Sequence, residues 1–305
     1  LTLKTELCGI TMKNPLMMAS GTFGFGEEFS EYMDLSLLGG ICSKGLTLGG
    51  KVGNYGPRMW ETPSGMLNSV GLQNPGVERF ITEELPRMRT YDTLVVANLG
   101  GNSLEDYVEG ARLLYAAGVP MLELNISCPN VKEGGAAFGI NAGVAAKVVR
   151  AVKDVFPGPM MVKLSPNAEH IVEMARACEA SGADAISLIN TLKGMAIDIH
   201  TRKPVFRNVV AGLSGPCIRP VALYMVYEVA QAVKLPVVGL GGIQTAWDAL
   251  EFIMAGAAAV QIGTANFIKP DISLDILAGI EEYMTENRIE DLREIRGAAL
   301  PQRKG

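Results

Sequence analysis

The hexapeptide NISCPN, Asn125 to Asn130, sets a cysteine just beyond the apolar run PMLELNI, constrained by Pro129 and flanked by two asparagines. A thiol placed there can act as a general base if it gains thiolate character, or it can be a small buried apolar residue. The loop position and the neighbouring Asn125 and Asn130 favour chemistry at Cys128. A Cys–His hydrolase dyad is poorly supported, since the chain has only two histidines, His170 and His200, both distant in sequence. The five cysteines, at 8, 42, 128, 178 and 217, are odd in number and contain no CxxC pair. That pattern argues against a disulfide scaffold and against a zinc or iron–sulfur site built by this chain alone.

Other polar residues end apolar runs: Ser20, Lys44, Asn98, Asn125, Lys163 and Asn190. Each alone reads as a satisfied structural group, because a buried amide or ammonium needs partners. Together around one rim, they imply a ligand site. GLGG (239–242) and IGTA (262–265) end two further runs with small residues before helices, where backbone N–H groups can hold a phosphate. No GxxxxGK[ST] occurs, and GTFGFG (21–26) has turn spacing rather than GxGxxG spacing, which disfavours a dinucleotide fingerprint. Lys163 fits the N1–C2=O edge of a flavin, or a carboxylate partner. Lys44 fits a carboxylate or ring ligand, or a plain rim charge.

The elements that must position these residues alternate. Strands are predicted at 15–20, 40–47, 93–101, 120–127, 160–166, 185–192, 236–242 and 259–265, with helical periodicity in LEDYVEGARLLYAAG, GVAAKVVRAVKDVF, HIVEMARACEASG, RPVALYMVYEVAQAV and AWDALEFIMAG. Repeated β/α alternation over 305 residues predicts a TIM (β/α)8 barrel, with a doubly wound sheet as the alternative. In a barrel, the strand C-termini carry the chemistry, which is where the polar residues stand. No composition break divides the chain, so residues 1–305 read as one domain. The segments 48–75 and 193–217 are long enough to be lids or binding loops over the C-terminal face. Hydrophobic residues make up 48% of the chain and the net charge is −5, which supports a large core and gives no basic patch for nucleic acid. No apolar run approaches the roughly 18–20 residues of a membrane helix, and the N-terminus lacks a signal-peptide pattern, so a cytoplasmic protein is expected.

NISCPN, VKLSPN (162–167), ASGTFG (19–24), SKGLT (43–47), NSVGLQNPG (68–76) and NTLKGMAIDIHTRKP (190–204) together resemble the dihydroorotate dehydrogenase family over essentially the whole chain. The cysteine in NISCPN, and a start almost at the barrel, resemble class 1 rather than the serine-based, membrane-associating class 2. ASGTFG with NTLKGMAID is more similar to class 1B than to fumarate-using class 1A. The resemblance implies FMN contacts at Ser20, Lys44, Gly45, Asn98, Asn125, Lys163, Ile189, Gly215, Gly241, Gly242, Gly263 and Thr264. It implies orotate contacts at Lys44, Asn68, Ser69, Val70, Gly71, Leu72, Asn125, Asn190 and Thr191, with Cys128 as the base and no metal. It further implies oxidation of dihydroorotate in UMP biosynthesis, a homodimer of this chain at the centre of a heterotetramer, and a partner subunit carrying FAD and [2Fe–2S] that passes electrons to NAD. A dihydropyrimidine dehydrogenase-type FMN domain is the nearest alternative, and the NSVGLQN loop and the asparagine after SCP speak against it. A ligand-sensing barrel without catalysis is the other.

Overall fold

The computed structural model describes residues 1–127 and 141–301. Eight parallel strands close into a barrel in chain order: β1 (Leu16–Met18), β2 (Gly40–Cys42), β3 (Leu94–Leu99), β4 (Met121–Asn125), β5 (Met160–Leu164), β6 (Ala185–Leu188), β7 (Val237–Leu240) and β8 (Ala257–Ile262), with β8 pairing back onto β1. The first seven fall inside the predicted runs, and β8 begins two residues before the run predicted at 259–265. Closure explains their composition: each strand is covered by helices outside and by side chains within, so both faces are apolar.

The outer layer contains α1 (Leu104–Ala116), α2 (Ala142–Val155), α3 (Ile171–Ala180), α4 (Arg219–Ala232), α5 (Ala246–Met254) and α6 (Ile272–Glu286). Local chemistry starts several of them. The Ser103 hydroxyl accepts from Asp106 N at 3.1 Å to open α1, and the Asn141 carbonyl oxygen accepts from Gly143 N and Val144 N to open α2. Along α2 the buried residues Ala145, Val148, Val149 and Val152 follow the spacing of a single helical face. Between β1 and β2 the chain makes 3-10 turns at Glu27–Glu31 and Leu35–Leu37, and before β3 it runs helically through Val77–Arg79, Phe80–Glu84 and Leu85–Met88.

One side chain from each barrel strand fills the lumen: Met17, Cys42, Val96, Met121, Met161, Ala185, Val238 and Ala259. Leu7 and Met12 join them from the hairpin Thr5–Leu7/Ile10–Met12. That hairpin is pinned by the Thr5 hydroxyl, which donates to Ala258 O at 2.8 Å near the start of β8. The N-terminal end of the barrel is therefore plugged, and space for a ligand is left at the other end.

The long segments after β2 and β6 differ from simple lids. Gly65–Asn68 pairs with Met59–Thr62 on one side and Ala211–Ser214 on the other, and Leu192–Gly194 completes a four-stranded antiparallel sheet. Two insertions far apart in sequence thus form one unit. No helix among the described residues is long and apolar enough to cross a membrane.

Candidate active site

Period-two alternation carries each lumen position upward to the next inward side chain. Above Val96, Met121, Met161, Ala185 and Ala259 stand Asn98, Glu123, Lys163, Ser187 and Gln261, a polar layer over an apolar one. Glu123 is 0% exposed and lies at its centre. Its carboxylate accepts from Asn98 Nδ2 at 2.6 Å, Gln261 Nε2 at 2.7 Å and Ser187 Oγ at 3.0 Å. Lys163 Nζ, also buried, sits 3.9 Å from the same carboxylate. The carboxylate partner that Lys163 could have is real, and it leaves the ammonium short of direct hydrogen-bond distance. Burial first, then the nearby Glu123 charge, push the Cys42 thiol well above its ordinary range, so this lumen cysteine stays a neutral thiol. Burial likewise raises Cys178 to about 12.

Asn125 ends β4 one step higher. Its side-chain oxygen accepts from Ser127 N at 3.1 Å and meets Asn190 Nδ2 at 3.5 Å. Asn190 in turn accepts from Thr191 N at 2.8 Å. A side chain at Gly212 would collide with Thr191 Oγ1 and approach Asn68 Nδ2 to 3.3 Å, and Asn68 Nδ2 reaches Gly212 O at 3.4 Å. Asn125, Asn190, Thr191 and Asn68 are therefore neighbours in one run from the β4 end to the inserted sheet. Ser69 to Leu72 continue that edge. Asn54 Nδ2 donates to Ser69 O at 3.1 Å, Asn54 N donates to Val70 O at 2.9 Å, and Asn74 Nδ2 donates to Leu72 O at 2.7 Å.

Gly45 joins this edge to the barrel rim. A Cβ there would lie 2.9 Å from Leu72 Cδ2, 3.1 Å from Asn98 Oδ1 and 3.8 Å from Ser20 Oγ. Lys44, half-buried, has no hydrogen-bond or ion-pair partner for its ammonium among the described residues. Burial lowers its pKa, Arg58 adds to the effect, and Glu28 opposes it.

On the far side of the rim, Gly215, Gly241 and Gly242 form a tight cradle. Gly242 has φ +76° and a Cβ on it would stand 2.7 Å from Gly215 O; Gly241 has φ +133° and a Cβ would stand 2.6 Å from Ala222 Cβ and 3.5 Å from Ile189 Cγ1. Thr264 Oγ1 bonds to Ser214 Oγ at 2.8 Å beside it, and Gly263 is open, its nearest atom beyond a would-be Cβ being Ala19 Cβ at 3.7 Å. The helix ends themselves contribute less than the strand-then-helix pattern implied. Asp248 Oδ2 already accepts from Gln244 N and Thr245 N in the capping box of α5, and the helix after β8 is only Ala265–Ile268. Any phosphate held here depends on the loop amides.

Every sequence-predicted cofactor or substrate residue lies within the described part, and the contacts above link most of them around one barrel mouth. Cys128 lies outside the described residues. His170 and His200 are exposed. No group of His, Cys, Asp and Glu suited to a metal occurs among the described residues. Sequence reasoning missed Glu123, Ser187 and Gln261. The available signal was LELN itself, in which a carboxylate shares Asn125's face inside a doubly covered strand.

The residues fit a flavin's needs. Asn98 Oδ1 is buried without a donor among the described residues, Lys163 supplies a buried positive charge, and a cradle of side-chain-free residues suits a phosphate. A closed parallel barrel with this polar mouth defines a (β/α)8 enzyme. The dihydroorotate dehydrogenase family model matches residues 2–284. The chain is 54% identical over 294 residues to dihydroorotate dehydrogenase B (NAD(+)), catalytic subunit, of Petrotoga mobilis, covering 96% of this chain and 98% of that one. It is 55% identical over 296 residues to the protein of that name from Thermoanaerobacter pseudethanolicus, covering 97% and 98%. It is 55% identical over 299 residues to the one from Geotalea uraniireducens, covering 98% of each. This chain belongs to the dihydroorotate dehydrogenase family, whose members are flavin-dependent oxidoreductases.

Proposed function

We propose that residues 1–305 form one FMN-binding unit that oxidises (S)-dihydroorotate to orotate in UMP biosynthesis. The substrate loses a proton from C5 and a hydride from C6, and a C5=C6 double bond forms. Cys128 takes the C5 proton as the general base. Bound FMN supplies the hydride acceptor. Ser20, Lys44, Gly45, Asn98, Asn125, Lys163, Ile189, Gly215, Gly241, Gly242, Gly263 and Thr264 hold it, with the glycine cradle and Thr264 toward the phosphate. Lys44, Asn68, Ser69, Val70, Gly71, Leu72, Asn125, Asn190 and Thr191 bind the substrate. The asparagines align its amide edges, and the Lys44 ammonium faces its carboxylate.

The observation that carries this reading is the junction of Asn125, Asn190, Thr191 and Asn68 at one barrel mouth. Amide donors and acceptors gathered at that point suit a planar substrate with imide-like edges. The relatives' designation as NAD(+) catalytic subunits supports an electron route out of the chain through a partner subunit to NAD, and in this reading that partner carries FAD and [2Fe–2S]. In that assembly a dimer of this chain forms the core of a heterotetramer. The test is turnover with dihydroorotate. The purified chain should reduce artificial dyes but not NAD, and NAD reduction should appear on adding the partner subunit. NAD reduction by the chain alone would overturn the partner route, and brisk fumarate reduction would place the chain in class 1A.

A further inference from the structure

Glu123 has no part in the reaction as proposed, yet it is the centre of the layer directly beneath the mouth. A carboxylate only accepts hydrogen bonds, so each amide that touches it must present nitrogen. Asn98 and Gln261 both do so, at 2.6 Å and 2.7 Å. Their oxygens are thereby turned away, and Asn98 Oδ1 and Gln261 Oε1 are both buried with no partner among the described residues. A buried carbonyl without a donor is unfavourable, and two in one layer call for a donor from beyond the described residues, a need that a bound ring N–H would meet. Asn98 Oδ1 is turned toward Gly45 at the rim, where even a Cβ would crowd it at 3.1 Å, so a side chain at position 45 would block the approach to it.

We infer that Glu123 is a positioning residue. By fixing Asn98 nitrogen-down, it holds the Asn98 carbonyl oxygen as an acceptor for a ring N–H of the flavin. The inference rests on the functional reading above and concerns one bond of it. If Glu123 were a purely structural buried charge, removing it would change folding and leave the ligand's affinity in the folded chain unchanged. If it positions Asn98, the two residues act as one unit.

The experiment measures FMN affinity of the full chain by flavin fluorescence, together with thermal melting, for the wild type, Glu123→Gln, Asn98→Ala and the double variant. An amide at 123 can donate as well as accept, so Asn98 is no longer held in one orientation. Glu123→Gln is expected to weaken FMN binding about tenfold, as loss of one good hydrogen bond does. Asn98→Ala is expected to weaken it similarly, and the double variant no further. FMN affinity within twofold of wild type in Glu123→Gln, or losses that multiply in the double variant, would overturn the inference alone. A wild-type chain that takes up no FMN would overturn the reading beneath it as well. Should Glu123→Gln fail to fold, the swapped pair Glu123→Gln with Asn98→Asp moves the carboxylate to position 98 and keeps an acceptor facing the mouth. That pair is expected to fold and bind FMN within a few-fold of wild type; a folded pair without FMN affinity would overturn the proposal.

Discussion

Gly242→Ala tests the cradle with a magnitude set by geometry. At φ +76° the backbone is left-handed, where an L side chain is strained by about 1–2 kcal/mol. The new methyl would also stand 2.7 Å from Gly215 O and 3.0 Å from Arg219 N, both backbone atoms that no rotamer change can clear. Forced overpacking of this kind costs about 1–3 kcal/mol. Together the two effects predict a loss of about 2–5 kcal/mol and a melting temperature lower by about 3–8 °C in the flavin-free chain. Gly263→Ala is the control. Its φ is unstrained and its methyl would meet Ala19 Cβ at 3.7 Å and Thr22 Cγ2 at 3.9 Å, ordinary contacts, so stability should change by less than about 0.5 kcal/mol. Calorimetry of both variants reads the difference. If Gly242→Ala melts within a degree of Gly263→Ala, the backbone cradle is not as drawn and the phosphate assignment loses its physical basis.

Cys128→Ala should keep bound FMN and lose turnover by about 100- to 10,000-fold, the range for removing a general base, and Cys128→Ser should retain a trace of activity that rises at high pH; stopped-flow reduction at several pH values checks both. Lys163→Ala should weaken FMN retention and slow flavin reduction, whereas Lys44→Ala should chiefly raise the dihydroorotate requirement, which FMN titration and steady-state kinetics separate. Lys44 also predicts a pH effect on stability. Its folded pKa lies below the ordinary lysine value of 10.5, so the unfolded chain binds more protons between the two values. The penalty for the charged form is fully present below the folded value and is relieved as pH rises through it. Lys44→Met should therefore melt higher than wild type at neutral pH, with the gap closing toward pH 10.

The barrel was legible because its strands are apolar on both faces and bounded by turn residues, so VVAN, LELN, VKLS and ISL stand out without any partner in view. The site was legible for a related reason: Lys44, Asn98, Asn125, Lys163 and Asn190 interrupt those runs near their C-terminal ends. The four-stranded sheet was not, since Asn68 pairs with Gly212 far along the chain and neither segment shows a local period. The helix Ile272–Glu286 was also missed. Asp271 makes no side-chain cap to announce it, and Gly279 interrupts its pattern. Glu123 was hidden by its own neighbours, because what satisfies it comes from β3, β6 and β8, and only closure of the barrel brings those donors together.

The most direct test is the visible spectrum of the purified chain, recorded anaerobically before and after dihydroorotate is added. Bound oxidised flavin should give a yellow protein whose visible absorbance bleaches with the substrate. The Cys128→Ala chain should stay yellow on the same timescale. A colourless wild-type chain that FMN cannot reconstitute, or a yellow one that dihydroorotate leaves unbleached, would contradict the account.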